Sequence, residues 1–335
     1  MSQNKLFNIE ALRGLASLAV CWFHVTSTHS VAWVKASGAY GWLGVDCFFV
    51  ISGFVIPYAL FRSDYSIGGF PRFMLRRLVR LEPPYLVSIA LIVALAYLSA
   101  ITPGFRGAPP HFTVPQLASH LLYVAPYFHQ EWVNIVYWTL AFEFAFYVAA
   151  GLSFPFLYKR GLWLTALLVA AAALLVPSQT SFLEGRVLLF LIGIASMRYF
   201  VGRDSLAIYL TCLAGTAGLM VAAGSVPSAI AGVTTGLVIT MIKLPRVRLL
   251  SGLGALSYSL YLIHVPIGGR VVNLGHRFGQ GAAFELFLSL LAVAVCLLVA
   301  FVLYRFVEAP ATALAQKLSL RPPPNGAPAA EAAGA

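Results

Sequence analysis

The sequence predicts an all-α protein, a polytopic transmembrane helix bundle of about ten spans with both termini in the cytoplasm. Three observations predict it. Of 335 residues, 60% are hydrophobic and only 10% charged, with a mean hydropathy of +0.85; soluble domains carry about 25% charged residues. Runs long enough to span recur at 11–29, 43–61, 84–102, 132–157, 162–176, 183–200, 205–223, 226–243, 256–272 and 283–305. The basic residues are one-sided as well. With the N-terminus inside, Lys35, Arg106, Arg186, Arg270 and Arg277 fall outside, and the other seventeen of the 22 Lys and Arg fall inside. The same asymmetry accounts for the net charge of +11, so the expected partner is the lipid bilayer of the cell (inner) membrane, with no nucleic acid.

The first span begins uncleaved, because only Lys5 precedes it and Glu10 and Arg13 interrupt its apolar run. Arg13 and His24 share this helix, about 16 Å apart along its axis, roughly half of a ~30 Å hydrocarbon core. An arginine near a span's centre costs at least ~2.5 kcal/mol, so both residues are functional candidates. The second span, GWLGVDCFFVISGFVIP, places Asp46 one turn inside its outer end, at a depth comparable to His24. An aspartate that orients a histidine makes a better general base; a structural His–Asp pair or helix cap is the other reading. Gly41, Gly44 and Gly53, with Ser52, permit close helix packing.

The inner loop 62–83 carries FPRFMLRRLVRLEPPY. In a helix, Arg72, Arg76 and Arg80 share a face with Arg77 beside it. Such a cluster either forks onto phosphate or sets topology against anionic headgroups. The absence of lysine, and a rigid turn expected at Glu82-Pro83-Pro84-Tyr85, point to a ligand. The outer loop 103–131 includes an interrupted apolar stretch, 116–129, expected as a re-entrant or interfacial helix.

Further along, Glu143 lies mid-span in YWTLAFEFAFY, close to Trp138, too deep to be solvated without a partner or a wet cavity. The short span 162–176 ends at Pro177. LSYSLYLIHVP sets Ser257, Tyr261 and His264 on one helical face, as a channel lining or as interhelical glue. Glu308, three residues after Arg305, reads as a local cap or pair. Cys21, Cys47, Cys212 and Cys296 form no CxxC or Cys/His cluster, so no disulfide and no metal site are expected. Residues 1–310 form one integral-membrane domain, and 311–335 a short cytoplasmic tail, disordered where LRPPPNGAPAAEAAGA has no apolar face to bury.

Taken in order, NIEALRGLASLAVCWFH, GVDCFFVISGF, FMLRRLVRLEPPY, YWTLAFEFAFY, LSYSLYLIHVP and YRFVEAP resemble the motifs of the membrane acyltransferase-3 family, whose bacterial members acylate exopolysaccharide, O-antigen and related glycans. The resemblance runs from about Leu6 to Pro310; Glu10 departs from the Asp found in many members. It implies about ten helices, a cytoplasmic acyl-CoA donor (acetyl-CoA foremost) as co-substrate with no permanently bound cofactor, and a glycan hydroxyl as acceptor. It also implies His24 as the essential histidine, and Arg13 and the RxxR pair Arg77 and Arg80 as functional. Residues and resemblance together assign His24, Asp46 and Arg13 to catalysis and Arg76, Arg77 and Arg80 to the CoA phosphates. Glu143, Trp138, Ser257, Tyr261 and His264 are assigned to the substrate channel. The competing class is a secondary transporter or flippase, which would show paired broken helices and repeat symmetry; neither is visible in the sequence.

Overall fold

A computed structural model of the chain describes residues 3–102, 107–121, 123–158 and 186–318. Among these residues the protein is helical, without strands. The helices are α1 (Gln3–Thr26), α2 (Ala32–Ser37), α3 (Leu43–Arg62), α4 (Phe70–Ala100), α5 (Val114–Leu121) and α6 (Tyr137–Leu157), followed by α7 (Val187–Phe200), α8 (Leu206–Ala222), α9 (Val226–Thr240), α10 (Arg248–Gly275), α11 (Ala282–Leu303) and α12 (Ala309–Lys317). Five segments are long and apolar enough to cross a membrane: Leu43–Arg62, Ile67–Ala100, Tyr137–Phe156, Arg248–Gly275 and Ala282–Lys317; α7, α8 and α9 are shorter apolar helices. The span expected at 162–176, the basic residues Arg106, Lys159 and Arg160, and the segment 319–335 lie outside the described residues. Much of the apolar surface is turned outward: Leu298 is 64% and Phe301 52% exposed on α11, a pattern suited to lipid rather than water.

Helix α1 packs along α10, and the contacts run in parallel register. Gly14 meets Leu253 and Gly254, Arg13 bonds Ser257, and His24 lies beside His264. On its other side α1 meets α3 in antiparallel fashion, Gly41 against Ala19 and Phe23, then Gly44 against Ala16 and Val20. Helix α3 crosses α7 at Gly53 and Gly193, where a Cβ on either residue would strike the partner's backbone. Overpacking of this kind costs about 1–3 kcal/mol. Gly193→Val is therefore expected to lower the melting temperature in detergent, whereas Gly218→Val, which has open space around its Cα, leaves it unchanged. Equal melting of the two variants would mean the α3–α7 crossing is not tight.

Three local features bear on the sequence reading, and the first corrects it. The turn expected at Glu82-Pro83-Pro84-Tyr85 is absent; α4 runs unbroken from Phe70 to Ala100 through both prolines. A proline removes one helical hydrogen bond, which neighbouring helices can compensate. In α10 they do: the Leu262 carbonyl, four residues before Pro266, receives the Asn134 side-chain amide at 3.1 Å. In α4 the carbonyls that lose their donors are those of Val79 and Arg80, and the Tyr258 hydroxyl bonds the next one, Leu81, at 3.0 Å. Second, the stretch 116–129 contains α5 and a 3₁₀ turn, Ala125–Phe128, folded onto the bundle, with His120 buried and accepting the Val133 N–H at 3.1 Å. Third, order continues past residue 310, because α12 extends to Lys317.

The ends of α1 and α11 are tied by a polar knot. His29 bonds Ser289 at 2.7 Å and His276 at 3.0 Å, and Glu285, in the first turn of α11, accepts from the backbone and hydroxyl of Ser30 and from the Val31 N–H. An acid in a helix's first turn is favoured by the macrodipole. Near the opposite end, buried Asn8 donates to the carbonyls of Val238 and Ile242 and accepts the Leu244 N–H, satisfying both ends of its amide.

Candidate active site

Arg13, Arg77 and Arg80 come from α1 and from two positions of α4, yet they line one cavity of about 90 Å³. Glu143, Tyr147, Ser52, Thr139, Tyr258 and Tyr261 complete its polar wall. A wider pocket of about 930 Å³ adjoins it, lined by Glu10, Arg62, Ser251, Tyr304, Glu308, Thr312 and Gln316. Arg13, Val55 and Arg80 belong to both spaces and so stand at the passage between them. The inner space excludes anything as large as a nucleotide, which the outer one is large enough to take.

Two of the three guanidinium groups are held in place. Arg13 donates through Nε to the Ser257 hydroxyl at 3.1 Å, while that hydroxyl's own proton goes to the Gly254 carbonyl at 2.8 Å. Arg77 sits between the rings of Phe73 and Tyr147, 5.7 and 5.4 Å from their centroids. Such stacking fixes a planar cation in a way lysine cannot reproduce. Against these cations stand two carboxylates. Glu143 accepts from the hydroxyl of Ser52 and is bonded to Tyr147. Glu308, on a π-helical turn formed by Tyr304–Glu308, accepts from the backbone N–H of Ser259 at 3.1 Å and its hydroxyl at 2.6 Å. Both acids act electrostatically on Arg13. Three guanidinium groups facing two carboxylates leave a cationic excess, the right sign for a phosphate-bearing ligand.

The predicted site residues divide accordingly. Arg13, Arg77, Arg80, Glu143 and Tyr261 converge on the cavity. Arg76 does not; its Nη1 reaches the Leu318 carbonyl at 3.5 Å and ties α4 to the end of α12. Ser257 is fully buried and orients Arg13 instead of lining the space. Trp138 carries the Arg186 guanidinium 5.1 Å from its ring centroid and is not in the wall. Glu308 caps Ser259 rather than pairing with Arg305.

His24 and Asp46 are not partners. Asp46, fully buried, pairs with Arg186 Nε at 3.3 Å. Their depths differ as well: Gly41 and Gly44 descend alongside α1 from Phe23 to Ala16 before Asp46 is reached. The cause is α2 and the turns after it, which carry the chain back along α1, so that α3 begins at Leu43 already level with Ala16–Phe23 and not with His24. The half-buried His24 ring has Phe23 at 4.9 Å and His264 at 5.2 Å between centroids. It is outside the cavity wall but connected to it, because His264 lies 5.7 Å from Tyr261, and Tyr261 lines the cavity.

Sequence reasoning missed Arg186 as a buried residue, having counted it among the outer basic positions at the start of span 183–200. Its signal is position: it directly precedes VLLFLIGIASM, an arginine at the mouth of an apolar run. Ser52, Thr139, Tyr147 and Tyr258 were missed as cavity residues because hydroxyls inside membrane helices are common. Among the described residues, no group of His, Cys, Asp and Glu could hold a metal ion, and all four cysteines are free thiols.

Comparison with known proteins adds a family. The chain matches the family model described as "Acyltransferase domain" over residues 6–305. It is 30% identical to "Putative membrane-bound transacylase BcsY" of Komagataeibacter xylinus, across 79% of this chain and 73% of that protein. It is 32% identical to "Protein 2 in picA locus" of Rhizobium radiobacter across 26% of this chain and 43% of that one. No solved structure matches it.

Proposed function

This chain belongs to the acyltransferase-domain family and is a multi-pass membrane acyltransferase, and from that premise we propose that it moves an acetyl group from cytoplasmic acetyl-CoA to a hydroxyl of an exported or cell-surface glycan. The observation that carries the donor half is the convergence of Arg13, Arg77 and Arg80 on one cavity that opens into a pocket large enough for a nucleotide. The acceptor half rests on the resemblance to glycan-modifying enzymes.

In this reading the ten-span topology has its ends in the cytoplasm, and the protein resides in the bacterial inner membrane. The CoA phosphates occupy the wider pocket near Arg80 and Arg62. The pantetheine arm passes Arg13 and carries the thioester toward Tyr261 and the histidines. The span from Arg13 to His24, about 16 Å of helix, suits an extended arm. His24 takes the proton from the acceptor hydroxyl, the oxygen forms a bond to the thioester carbon, the C–S bond breaks, and His24 returns the proton to the departing thiolate. A variant of the scheme acylates His24 first.

Arg77→Lys and Arg80→Lys test the donor site. Both keep the positive charge that sets topology but lose the guanidinium fork. The apparent affinity for acetyl-CoA in nanodiscs is expected to fall several-fold, equivalent to about 1–2 kcal/mol for a charge-assisted bond, with membrane topology intact. Unchanged affinity in both variants would reduce the cluster to a lipid anchor. A wild-type protein that releases no thiol from acetyl-CoA, with or without acceptor, would end the acetyl-CoA assignment.

A further inference from the structure

We propose that His264 is the positioning residue of His24, the group that orients its imidazole and supports its positive charge in place of Asp46. The inference rests on the proposed role of His24 as the base in acyl transfer.

The geometry gives His264 a defined tautomer. Its Nδ1 lies 2.8 Å from the Tyr261 carbonyl and 3.1 Å from the Leu260 carbonyl. Carbonyls only accept, so Nδ1 carries the proton, and Nε2 of the neutral ring is a bare lone pair. That Nε2 is buried and has no hydrogen-bond partner among the described residues, while the residue as a whole is 1% exposed. Leaving a buried acceptor unsatisfied is costly, and such an atom is explained most directly by a partner that arrives during function. Its ring neighbours are Tyr261, whose hydroxyl is engaged with Thr139 at 2.7 Å, and His24 at 5.2 Å. His24 has an N–H to donate and no side-chain hydrogen bond among the described residues. A rotamer change or one bridging water closes the remaining gap.

The carboxylates named above have other partners. Asp46 is paired with Arg186, Glu143 with Ser52 and Tyr147, and Glu308 with Ser259. With His264 held by two backbone carbonyls, the neighbouring His24 can donate one N–H to the fixed Nε2 lone pair and present its other nitrogen to a hydroxyl. When that nitrogen takes the proton, His264 stays neutral and accepts the strengthened bond; the proton later leaves on the thiolate, and His264 undergoes no net change. A histidine thus serves as the orienting acceptor that a carboxylate often supplies.

The test compares wild type, His264→Gln and His264→Leu in nanodiscs. One arm follows thiol release from acetyl-CoA with water as acceptor. The other follows the pH dependence of carbethoxylation of His24 by diethylpyrocarbonate, read by mass spectrometry. His264→Leu is expected to lower kcat at least tenfold with KM for acetyl-CoA unchanged, and to move the carbethoxylation midpoint of His24 down by about one pH unit, because a supporting acceptor has been lost. His264→Gln, whose side-chain oxygen can replace the lone pair, is expected to recover most of both. A midpoint in the Leu variant equal to wild type, or a Gln variant as impaired as Leu, overturns the proposal. Absence of thiol release from the wild type would bear on the acetyl-CoA reading alone, and the carbethoxylation arm would still decide the histidine pair.

Discussion

His24→Ala is expected to abolish acyl transfer while leaving expression, membrane insertion and the helical fold intact. The imidazole is half-buried, and among the described residues it makes ring contacts with Phe23 and His264 and no side-chain hydrogen bond. Its removal therefore orphans no partner that holds two helices together. General acid–base catalysis contributes about 10²–10⁴-fold, and in the proposed mechanism the same nitrogen both receives the hydroxyl proton and returns it to the leaving thiolate. The measurement is acyl content of the surface glycan in a complemented deletion strain, alongside thiol release by the purified variant. Near-wild-type transfer by a well-expressed, normally melting His24→Ala protein would remove His24 from the chemistry. Arg13 is a useful contrast. Arg13→Ala removes one of the three guanidinium groups set against Glu143 and Glu308 and deprives the buried Ser257 hydroxyl of its donor, so its loss of activity would come with a loss of stability.

Much of the site was legible because a membrane makes polar residues conspicuous. Arg13 and Glu143 stand inside apolar runs where charge is expensive, and their convergence on one cavity follows from the need of each to find a partner or water. The arginine cluster was legible as a cluster but not as a face. In a helix, Arg76 with Arg80 and Arg77 with Arg80 are equally plausible neighbours, at spacings of four and three. What decides is the aromatic slot of Phe73 and Tyr147, which captures Arg77 and leaves Arg76 to the end of α12. The depth of Asp46 was hidden because it depends on how many residues the short α2 and its turns consume. Its partner was hidden because Arg186 is 140 positions away in sequence. The proline pair misled for a local reason: two prolines in succession signal a break in water, whereas a membrane helix packed among its neighbours can run on through them. Five helices announced a membrane by length and composition; the short α7, α8 and α9 are apolar but only 14, 17 and 15 residues long, and their apolar runs extended beyond the helices that form.

Asp46 supplies the sharpest contrast between the two readings of this site. As a partner of His24, its replacement by Asn would slow acyl transfer about 10–100-fold with stability unchanged. As the partner of Arg186, it should act on stability first. Both residues are buried, Asp46 fully and Arg186 to 6% exposure, with the Nε–Oδ1 distance at 3.3 Å. Removing one member of such a pair leaves an uncompensated charge, at a cost of about 3–5 kcal/mol, whereas replacing both by apolar residues of similar volume is often neutral. Asp46→Leu alone is therefore expected to melt many degrees lower in detergent or to fail to accumulate. Arg186→Met alone should do likewise, with the added loss of the guanidinium stacked on Trp138. The double variant Asp46→Leu/Arg186→Met should recover most of the loss. Strict additivity of the two single effects in a double-mutant cycle would show that the pair is not coupled. Wild-type melting of Asp46→Asn combined with a specific rate loss would restore the carboxylate to the histidine. Because α3, α6 and α7 meet around Asp46, Trp138 and Arg186, this ion pair ties together the helices from which Ser52 and Glu143 reach the cavity. A double variant that folds should also keep its affinity for acetyl-CoA, since none of the arginines proposed to bind the donor contacts the pair.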